Sequence, residues 1–251
     1  MKQFLMLVFM AVMSFSQNSI AGLVSGTGYG LAAPGGAATI YGTFPGVPTT
    51  VAPATLPKTL GGIQVLVNGL AAPLYYVSST QINLQIPWET NTSSPNALIT
   101  VGNNSALFPI ASTAASIFET NTVTQQGAIL DVNYKLVDYT NPVTLGQVIQ
   151  IYCTGLGPVT VTQTDGVPAS ATQLAYTVDI PTVTIAGEPA KVLFSGLSPD
   201  FVGLYQINAV VPPNAIPAAV ALAAISKITF VQISINGVTY NAVEMGYAPI
   251  K

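Results

Sequence analysis

The sequence predicts an all-β protein in which two tandem β-sandwich domains follow an N-terminal signal peptide. Three observations predict this: the composition, the short apolar runs between turn residues, and a long internal repeat. Half of the 251 residues are hydrophobic and only 6% are charged. Val, Ile, Tyr and Thr favour strands, while Gly, Pro, Asn and Ser favour turns. The chain is long enough for two modest β domains.

The charged residues exclude several kinds of function. All six basic residues are lysines and there is no histidine. Nucleic acids and anionic membranes bind clusters of basic residues, so we expect neither as a partner. A Ser-His-Asp triad and a typical zinc site both require histidine or several cysteines. The nine acidic residues are scattered, and the loosely spaced Asp131, Asn133 and Asp138 come nearest to a calcium loop. We therefore expect no enzyme activity, no cofactor, no metal and no catalytic residue.

The amino terminus has the layout of a signal peptide. Lys2 precedes an apolar stretch, Phe4–Phe15, and a polar segment, Ser16–Ala21, with small residues at positions 19 and 21. This pattern predicts cleavage after Ala21 and a protein that is secreted or held at the cell surface. An uncleaved anchor is the alternative, although the apolar stretch is short for a membrane span. After cleavage we expect no membrane insertion.

Short runs with strand character recur along the rest of the chain. Turn residues separate them, and Val67–Gly69, Ile185–Gly187 and Ile235–Gly237 resemble hairpin tips. The apolar segment Ala215–Ile225 contains Pro217, which favours strand and loop over helix. The predicted strands are Ala38–Tyr41, Ile63–Asn68, Gln81–Ile86, Ala97–Val101, Val148–Thr154, Thr182–Ile185, Tyr205–Val211 and Thr229–Ile235.

An internal repeat organises these runs into two copies. Each copy has a strand containing Ile-Tyr, a Pro-rich loop, a hairpin, and a strand that begins with Gln-Ile-Asn. The repeat occupies Pro34–Phe44 with Gly61–Pro87, and then Leu145–Gly157 with Pro181–Pro212. Each copy fits an Ig-like sandwich of short strands. The sequence thus predicts a signal peptide at 1–21 and two tandem Ig-like β-sandwich domains at 22–115 and 116–251, the second including a hairpin within Gly127–Tyr139.

The Gln-Ile-Asn motifs, at Gln81–Asn83 and Gln206–Asn208, favour a structural role in which the Ile is buried and the amides bond to neighbouring strands. Contact with carbohydrate is the alternative. Aromatic residues flank both motifs and could stack on sugars or pack in the core. Trp88, which follows Pro87 at a strand end, is the best single candidate. The candidate ligand contacts are Trp88, Tyr75, Tyr76, Phe201 and Tyr205.

Cys153 is the only cysteine, so no internal disulfide can form. It lies in the apolar run Ile149–Gly155. This position favours a small buried residue of the core. A reactive or intermolecular thiol is the alternative.

Four segments resemble one known family, the Solibacter-type carboxy-terminal domain of secreted acidobacterial proteins. The resemblance covers roughly residues 30 to 245 and is carried by Ala33–Thr43, Leu56–Glu89, Ile151–Val159 and Phe194–Pro212. The two halves are also similar to IPT/TIG modules, which are Ig-like. The resemblance implies this fold, secretion and a bacterial source, and no defined catalytic or binding residue. Cys153 departs from the small residue, such as alanine, that the family tends to carry there.

Two functions follow as expectations. The first is a secreted structural or adhesive protein, a subunit of an extracellular assembly or matrix. Its partners are other copies of itself or other surface proteins, with the Gly-rich leader Gly22–Gly36 available for strand donation. The alternative is a carbohydrate-binding module whose partner is cell-wall or environmental polysaccharide.

Overall fold

The computed structural model describes residues 19–25, 30–213 and 228–247. Every regular element in these ranges is a β-strand. Accordingly, none of these residues belongs to a helix long and apolar enough to cross a membrane. The strands are β1 (Ser19–Ser25), β2 (Ala37–Thr43), β3 (Thr50–Val51), β4 (Val65–Val67), β5 (Leu70–Ala71), β6 (Leu74–Val77), β7 (Gln81–Gln85), β8 (Asn96–Val101), β9 (Asn104–Pro109), β10 (Ser116–Ile117), β11 (Glu119–Asn121), β12 (Gln126–Gly127), β13 (Ile129–Asp131), β14 (Val148–Thr154), β15 (Thr182–Ile185), β16 (Glu188–Leu197), β17 (Tyr205–Val210), β18 (Ile228–Ile235) and β19 (Val238–Gly246).

Strands β1–β9 form a sandwich of two sheets. One has the order β1-β2-β7-β6-β3 and the other the order β5-β4-β8-β9. The inward side chains of both sheets belong to one buried cluster, which includes Ile40 and Ile82 from the first sheet and Val65 and Ile99 from the second. Burial of this apolar surface holds the two sheets together.

Strands β10–β19 form a second sandwich in which one strand crosses between the sheets. The start of β16 pairs with β15, and the rest of β16 pairs with β17. One side of the core carries Ile151 and Ile207, and the other carries Val183, Val231 and Met245. The second half is therefore also all-β, with its two sheets joined through β16.

The repeat predicted from the sequence is present in the strand pairing. Strand β2 pairs with β7 so that Ile40 faces Ile82, and β14 pairs with β17 so that Ile151 faces Ile207. Likewise β4 pairs with β8 and β15 with β18. The eight predicted strands are confirmed, with ends that differ by no more than two residues.

The three predicted hairpin tips are also confirmed. Asn68, Ala186 and Asn236 have φ values of 49°, 55° and 50°, and each precedes a glycine with positive φ. These backbone angles suit the type I′ turns that join antiparallel strands. The tips join β4 to β5, β15 to β16, and β18 to β19.

Two predictions touch the ends of the described ranges. Residues 1–18 of the predicted signal peptide, and the segment Ala215–Ile225, lie outside the described residues. Ser19–Ala21 begin β1, and Gly22–Ser25 continue it in register with β2. That part of the predicted leader is therefore already paired within the chain along one side.

Candidate functional site

The Gln-Ile-Asn motifs have the structural role that the sequence favoured. Both isoleucines are fully buried. In the first motif Gln81 Nε2 donates to Asn83 Oδ1 at 2.7 Å, and in the second Gln206 Nε2 donates to Asn208 Oδ1 at 2.8 Å. Gln206 Nε2 also lies 3.2 Å from Oε1 of Gln150 on the neighbouring strand. The amides are thus engaged with each other and with an adjacent strand.

Two of the predicted aromatic residues, Tyr75 and Trp88, lie where the two sandwiches contact each other. We call this contact the junction. Its residues are Tyr75, Gln85 and Trp88 from the first half and Thr154, Asp165, Gly166, Val202 and Gly203 from the second. Tyr75 Oη donates to the carbonyl of Val202 at 3.0 Å. Burial raises the pKa of the Tyr75 hydroxyl well above its ordinary value. A Cβ at Gly203 would lie 2.7 Å from that hydroxyl, so only glycine allows this approach.

Gln85 uses both ends of its amide, one within the first half and one across the junction. Its Nε2 donates to the carbonyl of Gly35 at 3.2 Å, and its Oε1 accepts from Gly166 N at 2.7 Å. Gly166 also accepts a bond from Leu56 N through its carbonyl, at 2.8 Å. Gln85 is 1% exposed, so these bonds replace water entirely.

Thr154 makes a second buried connection. Its hydroxyl accepts from Ala37 N at 2.8 Å and donates to the carbonyl of Gly203 at 3.1 Å. The side chain is buried. One hydroxyl therefore satisfies a donor of the first half and an acceptor of the second.

Trp88 lies at the rim of the junction. Its backbone N–H donates to Asp165 Oδ1 at 2.9 Å, and Asp165 Oδ2 pairs with Lys58 Nζ at 3.2 Å. The indole covers Gly35, where a Cβ would overlap the ring. The lysine is half exposed, so this ion pair contributes little to stability. Packing of the indole is the larger effect.

A small cleft opens beside the indole. Its volume is about 220 Å³, and its walls are Pro34, Trp88, Thr90, Thr92, Ser112 and Pro158. The buried hydroxyl of Thr90 has no hydrogen-bond partner among the described residues. A buried hydroxyl without a partner is energetically unfavourable. A polar group bound in this cleft could form a hydrogen bond with the Thr90 hydroxyl.

The other candidate aromatics lie apart from this cleft. Tyr76, in β6, faces Asn83 of β7 and is half-buried. Phe201 is 56% exposed. Tyr205 is fully buried, and its hydroxyl donates to the carbonyl of Gly157 at 2.6 Å. Tyr205 is therefore a core residue in this structure, because neither face of its ring is open to a ligand.

Cys153 lies fully buried in the core of the second sandwich. Burial raises the pKa of its thiol, which disfavours the reactive thiolate. The sequence-based interpretation of Cys153 as a small packed residue is confirmed.

A larger groove was missed by the sequence analysis. It has a volume of about 600 Å³ and lies between β11, β12, β19 and the turn that follows β13. Its residues include Asn121, Asp138, Tyr139 and Glu244, which are far apart in the sequence. One feature of the sequence could have indicated this groove: the second copy of the repeat has extra residues before its Ile-Tyr strand. Within the described part of the chain, no group of three or more His, Cys, Asp or Glu could hold a metal.

Comparison with known proteins gives matches among solved structures alone. No protein-family model and no curated protein matches the sequence. A structure of the plexin A4 extracellular region matches over 92% of this chain with 11% identity and a TM-score of 0.28. The titin I9–I11 tandem matches over 93% with 9% identity and a TM-score of 0.25, covering 66% of that chain. Domains 4–9 of the surface layer protein SbsC match over 94% with 12% identity and a TM-score of 0.26.

The matched proteins are mostly longer than this one. The chain spans 18% of the plexin A4 chain and 32% of the SbsC chain. What those whole proteins do is therefore not transferred to it.

Proposed function

We propose that this chain is a secreted, non-catalytic structural module of the bacterial cell surface or extracellular matrix. In this proposal its two Ig-like sandwiches act as one unit that associates with other copies of itself or with other surface proteins. The observation that carries the proposal is the junction, where Gln85 and Thr154 accept hydrogen bonds from backbone N–H groups of the opposite half and Tyr75 donates to a carbonyl of the opposite half.

A fixed junction matters because paired domains usually move relative to each other unless their interface is large and well satisfied. Separating these halves would leave buried donors and acceptors without partners until water reached them, at about 1–3 kcal/mol for each group. A module that keeps its shape under load suits a structural role better than a flexible tether does.

The non-catalytic part of the proposal rests on composition. The sequence has no histidine, which is the most common general base. The single thiol is buried and held protonated. The chain therefore lacks the histidine of a Ser-His-Asp hydrolase and a reactive thiol nucleophile.

Association is supported by an exposed apolar pair on the outer face of the four-stranded sheet. Leu98 and Leu107 face each other on β8 and β9 and are 44% and 65% exposed. The adjacent pair on the same face, Thr100 and Ser105, is uncharged. Such a face can pack against a second copy with little charge repulsion.

Sedimentation velocity over a wide concentration range tests this proposal on residues 22–251. We expect concentration-dependent oligomers that the double substitution L98T/L107T weakens. V123T is the matched control, because Val123 is 91% exposed on the other half of the chain. A protein that stays monomeric at high concentration and forms no filaments by electron microscopy would contradict the proposal.

A carbohydrate-binding role at the Trp88 cleft is the second candidate. The specific observation that favours it is the unpartnered hydroxyl of Thr90 beside an indole. T90V keeps the shape of the side chain and removes that hydroxyl. Reduced binding of an oligosaccharide by T90V, with an unchanged melting temperature, would support this candidate, and unchanged binding would remove it.

A further inference from the structure

The larger groove, which we call the Tyr139 groove, is lined by both polar and apolar residues. Leu136 and Ile228 supply apolar wall, and Tyr139 is 68% exposed. Amide, hydroxyl and carboxylate side chains complete it. The lining residues are Thr120, Asn121, Thr124, Gln126, Leu136, Asp138, Tyr139, Ile228 and Glu244.

This groove is built by an insertion that the first copy of the repeat lacks. In the first half, β1 pairs with β2 from Ser19 to Ser25, with a register shift at Ala21. In the second half, two short strands pair with β14 in place of one long strand: β10 pairs near its end and β13 pairs with its middle. The chain between them leaves the sheet and adds β11 and β12 beside β19. The groove is therefore an addition to the sandwich and not a requirement of its repeated framework.

Asp138 is held in place by its own turn. Its Oδ1 accepts bonds from Thr140 N at 2.8 Å, Thr140 Oγ1 at 2.6 Å and Asn141 N at 3.0 Å. These bonds, led by the Thr140 hydroxyl, lower the pKa of the carboxyl. No described residue donates to Oδ2, so one carboxylate oxygen of an immobilised side chain remains available to a ligand.

Amide side chains from β11 and β12 line the same groove. Asn121 Oδ1 accepts from Val123 N at 2.9 Å and Thr124 N at 3.2 Å, which leaves Nδ2 without a described acceptor. Gln126 Nε2 donates to three backbone carbonyls, including that of Glu244. Among the described residues, no donor reaches Gln126 Oε1 or the Glu244 carboxylate. Donor and acceptor atoms thus line one groove in fixed positions.

We propose that the Tyr139 groove binds a short stretch of uncharged polysaccharide. The hydroxyls of a sugar donate to the carboxylates and to Gln126 Oε1, and the amide of Asn121 donates to a sugar oxygen. The apolar face of one pyranose ring packs on the exposed ring of Tyr139. None of the lining residues is a lysine. The two carboxylates of the groove would therefore repel an acidic polysaccharide. This inference does not depend on self-association.

Titration calorimetry on residues 22–251 with cellotetraose and with chitotetraose tests the inference. We expect one or both to bind, and Y139A to weaken that binding about tenfold, as expected for loss of a stacking contact. Y134A is the matched control, because Tyr134 is 72% exposed and does not line the groove. D138N keeps an oxygen to accept the turn bonds and replaces the free acceptor by a donor, so it should weaken binding. Because the turn bonds favour the charged carboxyl, we expect a small fall in the melting temperature as well.

Three results would overturn the inference: neither oligosaccharide binds, Y139A binds as the unchanged protein does, or polygalacturonate binds more tightly than both. Loss of binding in T90V with retention in Y139A would assign the ligand to the Trp88 cleft instead. We expect Y139A to sediment as the unchanged protein does. Loss of oligosaccharide binding and loss of self-association can therefore be distinguished.

Discussion

The two copies of the repeat share a framework and differ where they touch. Gly35 and Gly146 occupy equivalent turns, with φ values of 74° and 80°, and each donates its N–H to the end of the Gln-Ile-Asn strand. At that strand end, however, Gln85 of the first copy corresponds to Val210 of the second. Gln85 is the residue that bonds across the junction. The junction was thus built by changing side chains on a backbone that both copies keep.

A β-bulge that both copies share also places different side chains in the two halves. The pairing of β6 with β7 shifts register at Tyr75, and that of β16 with β17 shifts at Leu193. Tyr75 reaches the other half from this position, whereas Leu193 is 51% exposed. An identical β-bulge therefore directs one side chain into an interface and the other toward solvent.

The largest expected effect comes from testing the two equivalent glycines. G35A requires a strained positive φ and displaces the indole of Trp88, so we expect it to lower the free energy of unfolding by about 4 kcal/mol. G146A meets no atom within 4 Å and should cost only the backbone strain, about 1 kcal/mol. Urea unfolding of both variants measures the difference. Equal losses would show that the indole does not depend on Gly35.

Exchanging the strand-end residues gives the next effect. Q85V leaves the Gly35 carbonyl and Gly166 N–H buried without partners, so we expect a loss of about 3 kcal/mol in the free energy of unfolding. V210Q, the reverse change, places an amide at a half-exposed site and should alter stability by no more than about 0.5 kcal/mol. Urea unfolding at one pH compares them. A large loss in V210Q would remove the junction as the reason for the difference.

A smaller effect isolates one hydroxyl. Y75F removes the donor to the Val202 carbonyl and should lower the free energy of unfolding by about 1.5 kcal/mol. Y76F, next in the chain, is the control, since the Tyr76 hydroxyl bonds to no described residue. If thermal unfolding shows the same shift for both variants, the Tyr75 bond contributes nothing specific.

The smallest effect concerns Cys153, whose equivalent in the first copy is Gly42. Burial raises the pKa of the thiol above its ordinary value of 9.0, so the folded state keeps a proton that the unfolded state loses. Stability is therefore full below pH 9 and falls as the pH rises, by up to about 1.4 kcal/mol per pH unit for this group. C153A should flatten that decline. Unfolding curves measured between pH 8 and pH 10.5 test it, and an unchanged slope would contradict it.

Local features of the fold could be predicted from the sequence because local chemistry determines them. Asn68–Gly69 and Asn236–Gly237 required positive φ, and alternation placed Ile82 and Ile207 inside. The same alternation puts Tyr205 on the face of Ile207, so its burial was predictable. The association of aromatics with the Gln-Ile-Asn strands led instead to its selection as a ligand contact.

The junction and the Tyr139 groove could not be predicted in the same way. Gln85 and Gly166 are far apart in the sequence and meet only because the two sandwiches contact each other. Asn121, Asp138 and Glu244 come together because an inserted pair of short strands attaches to the edge of β19. Both depend on the packing of whole sheets, which strand periodicity does not determine.

The position of β1 bears on the predicted removal of the signal peptide. Ser19 and Ile20, which precede the predicted cleavage site, pair with Thr43 and Gly42, and the register of β1 shifts at Ala21. A peptidase needs an extended, unpaired substrate, so the predicted cleavage after Ala21 would have to precede completion of the first sheet. A chain that folded first would protect its own cleavage site and retain its leader. If the predicted secretion takes place, this protein would therefore be exported in an unfolded state.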